Sequence, residues 1–150
     1  MPNWCYNRIT IYGDEGTEAK LKEIEEIFES KQPFNEIYPI PDFKNIPNEK
    51  GELPVLRREL NKDGSVFYET YDFPDGKNDD RWYHWCIENW GTKWELSELD
   101  IEYDEEMLEL TFSTAWSPPA GSMQELKNKY PDLGFTCFYD EPGMEVAGYY

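Results

Sequence analysis

The segment RWYHWCIENWGTKW (81–94) concentrates residue types that do chemistry: four of the six tryptophans, the single histidine and one of the three cysteines. A cysteine and a histidine within reach of each other would make a nucleophile–base pair. In a helix, His84 and Cys86 are two positions apart and project to nearly opposite sides, so neither can pass a proton to the other. Helical geometry instead groups Trp82, Tyr83, Cys86, Ile87 and Trp90 on one arc, with Arg81, His84 and Glu88 on the other. The aromatic density then reads as the buried stripe of a helix over about 80–90, with Asp79 or Asp80 as N-cap and Gly91 as stop. His84 and Glu88, four apart, are placed to pair on its surface. Trp85 falls off the stripe, and either plugs beneath the long irregular segment before it or stays exposed for recognition.

A second concentration lies at 95–109, with Glu95, Glu98, Asp100, Glu102, Asp104, Glu105, Glu106 and Glu109 and no basic residue. Alternation scatters these carboxylates along an open face, which does not suit a paired acid and base. The segment reads as a solvated hairpin face or as a negative surface that meets a basic partner, with Asp100, Glu102, Asp104, Glu105 and Glu106 as candidate binding residues. ELNKDGSVFYET (59–70) resembles a calcium loop at Asn61, Asp63 and Gly64. Its first and twelfth positions, Glu59 and Thr70, break the ligand pattern, so an Asp-Gly turn into a strand fits better. No glycine-rich phosphate loop precedes a helix, and no metal site is indicated.

These groups sit in a chain of 150 residues with 32 acidic and 14 basic side chains, a formal net charge of −18. Such a field repels nucleic-acid phosphates and anionic membrane surfaces, and favours basic protein surfaces. Aromatic residues reach 17%, so a core can be built from few large side chains. No run approaches the roughly 20 apolar residues of a membrane span, and MPNWCYNR lacks the pattern of a signal peptide. Cys5, Cys86 and Cys137 are odd in number and widely spaced, as expected of buried free thiols in a cytoplasmic protein.

The elements that would position these residues follow from periodicity. NWCYNRITIY (3–12) is a strand, and Leu21, Ile24, Ile27 and Phe28 make one stripe of a helix over about 17–30. Residues 31–79, rich in Pro and Gly, form an irregular insertion that holds a short helix near 52–60 and a strand near 65–73. After the helix at 80–90, LDIEY (99–103) and MLELTFST (107–114) make a hairpin with one apolar and one acidic face. A helix capped by Ser117 or Ser122 ends before Pro131, and strands follow at 134–139 and 144–150. Without the insertion the order is that of an α+β, ferredoxin-like (split β-α-β) domain over 1–150, an antiparallel sheet with helices on one face.

MPNWCYN, WYHWCIENWGTKW, FSTAWSPP and YDEPGMEVAG, in that order, resemble the YubB-like family of plasmid- and phage-borne proteins. The resemblance spans nearly the whole chain and is weakest at 42–78. It implies a ferredoxin-like domain and a source in a phage or other mobile element, and carries no activity or catalytic residue with it. Three scattered cysteines give no iron–sulfur ligand set, so "ferredoxin-like" names a topology and no cofactor is implied.

The expectation is a non-catalytic, acidic interaction protein of the host cytoplasm that binds a host or viral protein with a basic surface, and neither nucleic acid nor membrane. The alternative is an enzyme or small-ligand binder with a cleft near Trp85, Trp94 and Trp116, where Asn89, Lys93 and Ser117 would converge.

Overall fold

A computed structural model describes residues 2–150. The chain divides into two compact units: the chain up to Pro39 together with Trp85–Tyr150, and Ile40–His84.

The first unit holds β1 (Trp4–Tyr12), α1 (Glu18–Glu29) and α2 (Pro33–Ile37). The second holds β2 (Val55–Leu60) and β3 (Val66–Asp72), and α3 (Arg81–Asn89) begins in it and ends in the first unit. The first unit continues with β4 (Ser97–Asp104), β5 (Met107–Ala115), α4 (Ala120–Lys129), β6 (Gly134–Glu141) and β7 (Val146–Tyr149). Its five strands form one antiparallel sheet in the order β4-β5-β1-β6-β7. β1 and α1 lead to β4, and β5 and α4 lead to β6, each pair of strands being split by one strand between them. The fold is therefore ferredoxin-like, with β7 added at one edge.

Side-chain alternation decides what the sheet buries. Cys5, Asn7, Ile9 and Ile11 of β1, Leu108, Leu110 and Phe112 of β5, and Cys137 of β6 are buried on one face. Leu21, Ile24 and Phe28 of α1 and Met123 and Leu126 of α4 complete that layer. Phe112 meets the rings of Phe28 and Phe34, and Phe34 meets Trp90 edge-on at 5.6 Å. The Trp90 indole N–H donates to the Tyr38 carbonyl at 2.8 Å, so α2 is pinned to the end of α3. Gly91, at φ +93°, turns the chain there. The Gly121 N–H donates to the Trp90 carbonyl at 3.0 Å, and a Cβ at residue 121 would stand 1.7 Å from the Asn89 carbonyl. Only glycine lets the start of α4 come this close.

One buried polar cluster interrupts the apolar layer. Asn7 Nδ2 donates to the Cys5 carbonyl at 3.1 Å and to Thr114 Oγ1 at 2.9 Å, while Asn7 Oδ1 accepts the Tyr150 hydroxyl at 2.9 Å. Thr114 in turn donates to the Ser117 carbonyl at 2.7 Å.

In the second unit β2 and β3 pair as an antiparallel hairpin closed through Asn61 and Ser65, with Asp63 accepting the Ser65 N–H. The Arg81 guanidinium is held bidentate by Asp79 at 2.8 and 2.9 Å and lies over the rings of Phe43 and Phe73. That ion pair holds the Asp79 carboxyl below its ordinary range.

Several local expectations are corrected. Residues 55–60 form a strand instead of a helix, because Arg57, Arg58 and Glu59 pair across the hairpin with Thr70, Glu69 and Tyr68. Neither Ser117 nor Ser122 caps α4: Pro119 stands at the cap, Ser117 Oγ donates to the Gly91 carbonyl at 2.5 Å, and Ser122 is buried inside the helix. His84 lies 3.4 Å from Asp80, one turn back, in place of the expected pairing with Glu88.

Among the described residues no helix is long and apolar enough to cross a membrane. Tyr150→Phe strips Asn7 Oδ1 of its donor inside the core and lowers stability by about 1–3 kcal/mol, read as a lower urea midpoint at unchanged slope.

Candidate functional site: the uncovered sheet face

The residues that alternate with the buried set point away from the helices. On β1 these are Tyr6, Arg8, Thr10 and Tyr12, with Tyr6 52% and Tyr12 46% exposed. Arg8 lies opposite Thr111 on one side and Phe138 on the other, and its guanidinium stacks over the Phe138 ring at 5.4 Å. Phe138 in turn meets Tyr149 edge-on at 5.2 Å. Tyr6, Arg8, Glu98, Thr111, Phe138 and Asp140 line an open concavity of about 400 Å³.

Acidic side chains surround this centre. Asp100 faces Thr111, and Glu102 faces Glu109 directly across the β4–β5 ladder. Glu98, at φ +54°, forms the bulge where the register of β4 shifts and lines the concavity. Among the described residues none of Glu98, Asp100, Glu102, Glu109 and Asp140 takes part in an ion pair, and neither does Arg8. Opposed like charges such as Glu102 and Glu109 work against the sheet. Asp104, Glu105 and Glu106 are exposed at the tip of the hairpin, where Asp104 accepts the Glu105 N–H at 2.7 Å.

Glu95 does not belong to this surface. Its carboxylate oxygens accept the Phe34 and Asn35 N–H groups at 2.8 and 2.9 Å and so cap the first turn of α2. Burial pushes its carboxyl up, and the two N–H bonds pull it back.

Trp85 stands in the helical layer, on the other side of the sheet from Asp100 and Glu102. It is half-buried, packed edge-on against Tyr38 at 5.0 Å and Trp90 at 6.0 Å. What covers Trp85 is therefore Tyr38, from the segment just after α2. The stripe of α3 is rotated accordingly. Cys86 and Trp90 are buried, but Trp82 and Ile87 are 42% and 41% exposed and Tyr83 is half-buried. Counting apolar positions placed the stripe at their mean direction, whereas contact with α2 decides which of them are covered.

Trp94 and Trp116 belong to a different cluster, with the Lys93 ammonium over both rings at 5.6 and 5.2 Å. Asn89 and Ser117, the polar groups expected to converge on a cleft, are spent on structure. Asn89 bonds the Tyr38 hydroxyl and the Trp85 carbonyl, and Ser117 bonds the Gly91 carbonyl. The three cysteines are buried, and burial pushes Cys5 up to about 11 and Cys86 up to about 12. Among the described residues no group of three or more His, Cys, Asp or Glu is placed to hold a metal ion.

The comparisons with known proteins meet the chain in this same region. Residues 89–150 match the family described as a ferredoxin-like domain in Api92-like protein. That segment is similar to the family from the end of α3 through β7. It includes Glu98, Asp100, Glu102, Glu109, Phe138 and Asp140, and leaves out Tyr6, Arg8 and Trp85. No curated protein and no solved structure matches the chain.

Arg8, Phe138 and Asp140 escaped the sequence reading because they meet only across strands far apart in the chain. The alternation of Tyr6, Arg8, Thr10 and Tyr12 with Ile9 and Ile11 was the available signal. Two outcomes check the site. Glu102→Lys replaces a repulsion with a cross-strand pair and raises stability by about 0.2–1 kcal/mol in denaturant titration. A thiol reagent at neutral pH finds almost no reactive cysteine in the folded protein and all three after unfolding.

Proposed function

We propose that this protein is a non-catalytic interaction protein of a phage or plasmid, acting in the host cytoplasm by binding a basic surface on a host or viral protein. The observation that carries the reading is the set of unpaired carboxylates, Glu98, Asp100, Glu102, Glu109 and Asp140, on the one sheet face that no helix covers. Unpaired like charges lower the stability of the free protein, and lysine or arginine side chains of a partner would remove that repulsion on binding. The exposed rings of Tyr6, Tyr12 and Tyr149 offer apolar area on the same face. A net charge of −18 steers a basic partner towards the protein and disfavours nucleic acid. The hairpin tip, Asp104–Glu106, extends the same negative surface.

The test is capture from the host on the immobilised full chain, with and without the pair Asp100→Lys and Glu102→Lys. A basic protein is expected to be retained at low salt, released as ionic strength rises through the physiological range, and bound at least about tenfold more weakly by the variant. Retention that ignores both salt and the charge reversal would overturn the reading.

A further inference from the structure

We propose that Glu141, with Asn3, Trp4, Tyr6 and Gly143, forms a pocket for one cationic side chain, a lysine ammonium or an arginine guanidinium of a bound protein. This rests on the acidic-face reading above and names the group that anchors the partner. β6 ends at Glu141, whose side chain is turned inward and is 1% exposed. Its Oε2 accepts the Met144 N–H at 2.6 Å and so fixes the turn Pro142–Met144. Its Oε1 is buried with no hydrogen-bond partner among the described residues. Buried acceptors are nearly always satisfied, and a carboxylate oxygen is among the strongest of them.

Glu141 also lines a concavity of about 290 Å³, together with Asn3, Trp4, Tyr6 and Gly143. Gly143 lets the Asn3 side chain pack close beside the carboxylate: a Cβ there would stand 2.8 Å from Asn3 Cγ and 3.0 Å from Glu141 Oε1. Tyr6 also lines the concavity on the uncovered face, so the pocket adjoins that face at its edge.

The chemistry selects an organic cation. A carboxylate oxygen accepts a charge-assisted hydrogen bond, and the lining includes an indole and a phenol, ring types that attract the same charge. A divalent metal ion needs several oxygen ligands, and one free carboxylate oxygen does not supply them. An anion is repelled by Glu141 and by its neighbour Asp140.

The experiment is an NMR titration of the Trp4 indole N–H in the full chain. The probes are Nα-acetyl-lysine methylamide and Nα-acetyl-arginine methylamide, with the norleucine analogue as the uncharged control. A saturable shift with at least one cationic probe and none with norleucine is expected. Glu141→Gln removes the charge and keeps the shape, while Gly143→Ala presses on Asn3 and on the Glu141 carboxylate and keeps the charge. Each weakens the probe by about tenfold or more. The pair Asp100→Lys and Glu102→Lys changes probe affinity by no more than about twofold, since salt screens charges at a distance. No saturable shift, or a shift that survives both Glu141→Gln and Gly143→Ala, overturns the pocket. Probe binding without capture of any basic protein leaves the pocket standing and removes the acidic-face function; capture without probe binding removes the pocket alone.

Discussion

The pairing of β1 on both edges is the constraint from which the rest of the first unit follows. Trp4–Tyr12 is bonded to β5 along its whole length and Tyr6–Tyr12 to β6, so the strand can neither slip nor rotate. A strand locked in that way divides its side chains by strict alternation. Cys5, Asn7, Ile9 and Ile11 must be covered, and α1 and α4, returned to one face by two split β-α-β crossovers, cover them. Nothing in that topology supplies a second layer. Tyr6, Arg8, Thr10 and Tyr12 are left outward by the same geometry that buries their neighbours.

The tryptophan-rich segment owes its composition to this one-sided packing. A run of ring contacts passes from Trp85 through Trp90 and Phe34 to Phe112 and Phe28. It ties the end of α3, the short α2 and α1 to the sheet. A helix of five residues such as α2 has little stability of its own. Here it is fixed by the Glu95 carboxylate at its first turn and by the Trp90 indole just past its end. Trp85, Cys86 and Trp90 are thereby accounted for by packing and by a hydrogen bond to backbone, while Trp82 and His84 stay exposed.

The acidic face differs in kind, since packing does not account for it. The helical layer satisfies nearly all of its buried polar groups, as the cluster of Asn7, Thr114 and Tyr150 illustrates. On the other side Glu102 opposes Glu109 and Glu98 takes a left-handed backbone, two features that each lower stability. Features that lower stability and are exposed together on one surface fit the recognition role proposed for this face.

How much of this was legible depends on the range of the interactions involved. Local period and punctuation sufficed for α1, for the hairpin of β4 and β5, and for the stop at Gly91, because each is decided by residues within a few positions of one another. The split β-α-β order followed from the succession of those elements. Composition alone determined the charge. Only the tertiary structure decided that 55–60 pairs as a strand, that α2 rotates the buried arc of α3 towards Trp85, and that Glu95 is a cap and no part of the acidic surface. It alone brought Arg8 to Phe138 and left one oxygen of Glu141 without a partner among the described residues. Each of these depends on which distant residue lies across the contact, and periodicity along a chain holds no record of that.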